Sequence, residues 1–305
     1  MRKDVKCVHC KAQNYIKWGS RKTANRGKIQ KYKCLDCNKH FTNDEGFYRK
    51  KNSEQKITAA IDLYFSNLSS RKVRNHFRRH WEKNASHVTV LNWCREYTLK
   101  VTKYVDTLQP QLSGQVYADE TEIPRGMNTK RKGGDKFWCA VDWGTRYIDA
   151  TLYSPQSQSV EEAIEFLKKT TKHGKPKFIQ TDAAQFYPKA MRKLFGVRLI
   201  DGVASISGMK KLKVEHRINN VSRTGKHNVR IETVFSKIKD RVDDFRGLKA
   251  LWSAPILMQG IILQHNFIEA HTKTGKLPCE LAGLKLTDEK NRWLWLIRFS
   301  SSQKD

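Results

Sequence analysis

The chain has no run of eighteen apolar residues. Its best candidate, 254–270, is interrupted by Gln259, Gln264 and His265, and a membrane-spanning helix is excluded on that count. The opening segment MRKDVKCVHC has no apolar centre of the sort a secretory signal carries, so a cytoplasmic setting is expected. Carboxylates are in short supply: 30 Asp plus Glu stand against 59 Lys plus Arg, a formal net charge of +29. An excess of that size repels itself unless a polyanion is the usual partner, which points to nucleic acid. Cysteine is placed poorly for a secreted disulfide framework, since the seven form an odd set with four in two tight pairs. What remains suffices for packed domains. A hydrophobic share of 38%, with 8 Trp and 13 Phe, argues against wholesale disorder, and 305 residues leave room for two or three modules.

Cys7 and Cys10 form one C-x-x-C pair and Cys34 and Cys37 a second, with 23 residues between them. Four thiolates from two such knuckles close a tetrahedral shell around one Zn2+, the arrangement of a structural site with no open position for chemistry. A redox dithiol is the competing reading. His9 and His40 flank the pairs but are surplus to a complete four-sulfur shell. The segment between holds Lys17, Arg21, Lys22, Arg26, Lys28, Lys31 and Lys33, with Trp18 and Tyr32 interleaved. That composition suits phosphate contact and also a plain solvated face.

A helical stretch follows. Ile57, Ala60, Ile61 and Tyr64 recur at i, i+3, i+4, i+7, one apolar stripe of a helix. After a turn at Asn67–Ser70, Ser69 or Ser70 can cap a second helix carrying Val73 and Phe77. Ser86 can cap a third, with Leu91, Cys94, Thr98 and Val101 at near-helical steps. Three such helices with Arg71, Lys72, Arg74, Arg78 and Arg79 on open faces fit a helix-turn-helix that presents one helix to the major groove. A small helical bundle of another kind shares the pattern.

Beyond residue 113 the pattern becomes α/β. VYADETEI (116–123) alternates as a strand bearing Asp119, Glu120 and Glu122. KFWCAVDW (136–143) and RYIDATLYS (146–154), joined at Gly144-Thr145, read as a hairpin. A helix with Val160, Ala163, Ile164 and Leu167 on one face follows, then the strand KFIQTD (177–182) ending in Asp182, then a helix opened by AAQFY. In NVRIETVFSKIKDR (228–241), Ile231, Phe235 and Ile238 set a helical stripe, with Glu232 and Lys239 two turns apart on one flank. Carboxylates from two strands and a helix can converge at one sheet edge and hold hard divalent cations. Such cations promote in-line attack of water or a 3′-hydroxyl on a phosphodiester. Glu120, Glu122 and Asp142 are alternative acids near that edge, and Glu215 is the rival of Glu232. Tyr187 follows Asp182 closely, but the Arg- and His-rich surroundings of a tyrosine recombinase nucleophile are lacking, which disfavours covalent catalysis.

Taken in order, VYADET, TDAAQFY (181–187), VEHR (214–217), N-x-x-x-E (228–232) with Lys239, and NFIEAHTKTGKLPCELAGL (266–284) resemble the integrase-core transposases of insertion sequences. The likeness is greatest to the insertion-sequence-six family of the DDE superfamily. KYKCLDCNKHF (31–41) is likewise similar to the zinc ribbon that precedes many such domains. The resemblance spans roughly 1–285, and its strength lies in order and spacing together. It departs in two places: the 49 residues between Asp182 and Glu232, longer than that family's habit, and the tail after 285 with Trp293 and Trp295, which has no counterpart there.

The resemblance implies an α/β, ribonuclease H-like catalytic core, a mixed sheet flanked by helices, preceded by a small zinc ribbon and an α-helical helix-turn-helix domain. It implies Asp119, Asp182 and Glu232 as an acidic triad holding two Mg2+ or Mn2+, besides the one structural Zn2+ on the four cysteines. Lys239 matches the basic residue that contacts terminal DNA, and Asn228 and His216-Arg217 match residues beside the site. Arg241, Arg217, Arg230, Arg71 and Arg74 are expected as further DNA contacts, within a basic cluster from Lys210 to Arg230. The implied activity is transposition, meaning cleavage at the element's ends and strand transfer into target DNA. The implied partners are double-stranded DNA, at terminal inverted repeats and at the target, and further copies of the chain in a dimer or larger synaptic assembly. A prokaryotic, nucleoid-associated location follows. The expected boundaries are a ribbon at 1–48, helix-turn-helix at 49–112, catalytic domain at 113–272 and a Trp-rich tail at 273–305. A DNA-binding regulator derived from such an enzyme, or a metal-dependent nuclease that never joins strands, remains the alternative.

Overall fold

A computed structural model describes residues 5–23, 27–43, 45–81, 85–126, 133–155, 157–196, 214–219 and 228–302. In chain order its elements are β1 (Tyr15–Thr23), β2 (Gly27–Cys34), β3 (His40–Thr42), α1 (Glu54–Phe65), α2 (Ser70–His80), α3 (His87–Val105), β4 (Gln115–Ile123), β5 (Asp135–Asp142), β6 (Ile148–Ser154), α4 (Val160–Lys169), β7 (Phe178–Asp182), α5 (Phe186–Phe195), β8 (Glu215–Asn219), α6 (Val229–Asp244), α7 (Ala254–Leu263), a π-helical turn (Gln264–Ile268), α8 (Pro278–Leu281) and α9 (Arg292–Ser302). The contacts divide them into two units. One comprises Met1–Tyr64, Leu68–Leu108 and Thr287–Asp305, the other Phe65–Asn67 and Gln109–Leu286. Among the described residues no helix is long and apolar enough to cross a membrane.

The first unit begins with the antiparallel sheet β1-β2-β3. Its helices start where short polar side chains can replace missing backbone acceptors: the Ser69 hydroxyl accepts from Lys72 N, and that of Ser86 from Thr89 N. Ile57, Ala60, Ile61, Tyr64, Val73 and Phe77 are all buried. On α3 the inward face runs through Val90, Trp93, Cys94, Tyr97, Thr98 and Val101, while Leu91 stays at its margin. The Trp-rich tail supplies a helix to this unit. In α9, Trp293 and Ile297 are buried, Tyr104 of α3 meets the rings of Trp295 and Phe299, and Arg298 pairs with Glu54 at 2.6 Å.

The second unit is built on a five-stranded sheet of order β6-β5-β4-β7-β8. β4, β5 and β6 are antiparallel, and β7 and β8 run parallel to β4. This mixed sheet with helices on its faces is the ribonuclease H-like fold. On one face Val116, Ala118, Trp138, Ala140 and Ile179 pack with Ala163, Phe166 and Leu167 of α4 and Tyr187, Ala190 and Met191 of α5. α6 contacts β4 and β5, burying Ile231, Phe235, Ile238 and Val242. On β6, Asn266 takes the place of a further strand: its Oδ1 accepts from Ile148 N and its Nδ2 donates to Ile148 O, each at 2.9 Å.

Candidate active site

The parallel ladder between β4 and β7 pairs Val116 with Ile179 and Tyr117 with Gln180. Continued by two residues, that register sets Asp119 opposite Asp182, the last residue of β7, and Asp182 pairs in turn with Asn219 of β8. Asp119, Glu120 and Asp182 each place a carboxylate oxygen within 4.8 Å of the others. All three are half-buried. Burial, then the neighbouring charges of Glu120 and Asp182 and the more distant Glu232, push Asp119 up to about 7. Burial also raises Glu120, against the hydrogen bond donated by Tyr187. Among the described residues, no Lys or Arg forms an ion pair with any of the three. Crowded half-buried carboxylates without a basic partner are a donor set for hard divalent cations.

Glu232 is exposed on the first turn of α6. It acts on Asp119 through space but is not in the tight group of carboxylates, which sequence reasoning had built from Asp119, Asp182 and Glu232. Lys239 lies exposed two turns further along. At the base of α6, Asn228 is buried with neither side-chain amide atom bonded among the described residues. His216 bonds Thr181 Oγ1 at 2.9 Å. Because that hydroxyl donates to the Asp182 carbonyl, His216 Nε2 is the donor, and burial lowers its pKa to about 4. A neutral imidazole thus props the strand end that presents Asp182. Arg217, exposed, stacks its guanidinium over the Phe178 ring, 3.7 Å from the centroid, and pairs with Glu215 at 3.0 Å.

Other candidates have other duties, and one expectation changes. Arg241 is not a DNA contact: it is buried, ion-paired with Glu269 and donates to Asn67 Oδ1 at 3.1 Å. It lies three residues after Ile238, on the buried stripe. Asp142 is a turn anchor, accepting from Ser113, Gly114 and Thr145. Glu215 pairs with Phe178 at the opposite end of β7 from Asp182, roughly 13 Å away at 3.3 Å per residue. Glu122 pairs with Lys136 at 2.7 Å. Tyr187 is buried with its phenol raised well above its ordinary range by burial and by Glu120, unsuited to nucleophilic attack. Glu120, by contrast, an alternative acid by sequence, sits in the cluster. The signal for it was available: Phe186-Tyr187 open α5 just beyond Asp182, within reach of the same edge.

The basic positions are dispersed. Arg71 is exposed on α2, and Arg74 holds the Asn75 side chain at 2.9 Å. The side chain of Arg230, the loop with Lys130, Arg131 and Lys132, Arg26, and most of the Lys210–Arg230 cluster lie outside the described residues.

In the first unit, the Sγ atoms of Cys7, Cys10, Cys34 and Cys37 lie within 4.8 Å of one another. Cys7–Cys37 at 3.7 Å and Cys10–Cys34 at 3.5 Å are far beyond the ~2.05 Å of a disulfide and near the ~3.8 Å edge of a tetrahedron with 2.3 Å metal–sulfur bonds. The two knuckles repeat one geometry. The fourth residue after each first cysteine, Lys11 (φ 65°) and Asn38 (φ 56°), is left-handed, turning the chain back so that both sulfurs face inward. His9 and His40 are exposed; His40 stacks on Trp18, centroids 5.3 Å apart.

A mixed sheet with carboxylates gathered where its parallel strands end offers a site suited to hard divalent cations. Residues 130–271 match the family model described as "DDE domain", of the IS240 transposase type. That segment is therefore similar to a DDE transposase domain of this type. It includes Asp182 and Glu232, whereas Asp119 precedes it. No curated protein matches the chain. Among solved structures it is similar to a chain in the electron cryomicroscopy structure of the simian T-cell lymphotropic virus intasome in complex with PP2A regulatory subunit B56 gamma. The identity is 14%, covering 75% of this chain and 74% of that one, with a TM-score of 0.37.

Proposed function

We propose that the protein is a transposase that cuts DNA at the ends of its element and joins the freed strand to target DNA, with Asp119, Asp182 and Glu232 holding two Mg2+ or Mn2+. The observation that carries this reading is the convergence of Asp119 and Asp182 across β4 and β7, with no basic partner among the described residues. Divalent cations at such a site activate the attacking oxygen and stabilise the leaving one. The chain's own part is positional. The sheet fixes Asp119 and Asp182, and His216, through Thr181, steadies the end of β7. α6 brings Glu232 to the Asp119 side, with Lys239 set to meet a phosphate backbone. Arg217, Arg230, Arg71 and Arg74 supply further phosphate contacts. The four cysteines hold one structural Zn2+, and the ribbon with helices α1–α3 as a helix-turn-helix binds the terminal repeats. Two ends must be joined, so a dimer or larger assembly does the work, in a prokaryotic cytoplasm near the nucleoid.

The test incubates the protein with oligonucleotides carrying the element's ends, target DNA and Mg2+. Joined strands are expected from the wild type, and neither cleavage nor joining from Asp119→Asn, Asp182→Asn or Glu232→Gln. Strand transfer that survives all three substitutions would remove the catalytic assignment. Cleavage without joining would identify a nuclease, and neither product a binding protein.

A further inference from the structure

We infer that Glu120 is a cation ligand of this site and that Tyr187 and Gln158 are the residues that position it. The inference rests on the reading of the site proposed above. Neighbouring residues of a strand point to opposite faces. Asp119 and Glu120 therefore leave β4 in opposite directions, Glu120 continuing the Val116–Ala118 row that packs on α4 and α5. Yet both reach within 4.8 Å of Asp182 and of each other. They do so where the β4–β7 ladder has ended, its last pair being Tyr117 and Gln180, so no cross-strand hydrogen bond separates the two faces there.

Glu120 is held in that gap. The Tyr187 hydroxyl donates to its Oε2 at 2.5 Å and the Gln158 amide to its Oε1 at 2.5 Å. Both donors are neutral. In a chain with 59 Lys and Arg, a carboxylate with a purely structural duty would readily take a basic partner, as Glu54 and Asp135 do. Neutral donors orient Glu120 without cancelling its charge, and each of its oxygens keeps a second lone-pair direction for a hard cation. The cluster as folded is thus Asp119, Glu120 and Asp182, which Glu232 joins from α6.

The experiment uses full-length, zinc-loaded protein and Mn2+ as probe, reading free Mn2+ by electron paramagnetic resonance alongside strand transfer. Glu120→Gln is expected to weaken Mn2+ binding by about tenfold or more. Tyr187→Phe, which leaves the carboxylate but frees one oxygen, should weaken it by up to about tenfold, in the range found for residues that orient ligands, with strand transfer recovered at raised Mn2+. Wild-type Mn2+ affinity in folded Glu120→Gln, with Asp119→Asn impaired, would overturn this inference alone. Unchanged affinity in both would overturn the reading of the site itself. Should Glu120→Gln fail to fold, the exposed substitution Gln158→Ala decides: weakened Mn2+ binding supports the inference, and unchanged binding overturns it.

Discussion

At the scale of single residues, the environment decides what a side chain is for. His265 in the π-helical turn and His216 on β8 are both kept neutral by burial, at about 4 each, for different ends: one steadies the site, the other the fold. His265 bonds the Arg146 carbonyl at 3.0 Å; Lys237 and Arg241 further disfavour its charged form, and Glu269 favours it. Its folded pKa lies below the ordinary 6.5, so its contribution to stability is whole above pH 6.5 and is lost as pH falls from 6.5 toward 4. The predicted loss is about 2 kcal/mol, a discount on the full shift for partial exposure. Urea midpoints at pH 7.5 and 4.5 check this. His265→Gln should reduce the difference, leaving the share that belongs to His216, and an equal acid-induced drop in both proteins would clear His265 of the effect.

At the scale of elements, α1–α6 and β4–β7 were legible because their patterns are local: alternation in β4, apolar runs in β5 and β7, serine caps before α2 and α3. The strands of the ribbon, β8 and the helices beyond α6 were not. What escaped depends on which side of an element is covered. Asp119 was read from a motif, whereas Glu120 needed the end of the β4–β7 ladder and the reach of Tyr187. Arg241 was misread because Lys239, two residues earlier, is about 200° away on a helix, so the two could not share an exposed face. The tail was left without a role, since nothing local says that Trp293 packs in the first unit. The joint between α6 and β4 is a further case. There Leu248 and Lys249 donate to the Pro124 and Arg125 carbonyls, and Gly247 takes φ +81°, where a Cβ would lie 2.7 Å from Arg125 O. Backbone cannot yield as a flexible side chain does, so Gly247→Ala should cost about 2 kcal/mol or more. Urea denaturation measures it, and a wild-type midpoint would show that the joint relaxes freely.

For the whole molecule, the +29 charge sets the manner of binding more than its specificity. Each phosphate neutralised releases condensed counterions, so the affinity for duplex DNA should fall steeply and linearly on a log–log plot against salt, by a slope of about 0.9 per contact. Charge alone does not make a residue part of that slope; exposure does. Lys239 is exposed, so Lys239→Ala should shallow the slope by about 1 while leaving the unfolding midpoint in place. Arg241 is buried against Glu269 and Asn67. Arg241→Met should leave the slope alone and lower stability by about 2 kcal/mol, because a partly exposed carboxylate is left behind without its cation. Fluorescence anisotropy over 50–300 mM salt, paired with urea denaturation of the same samples, separates the two outcomes. A shallower slope for Arg241→Met with unchanged stability would return that residue to the DNA surface and place the buried flank of α6 on the wrong side.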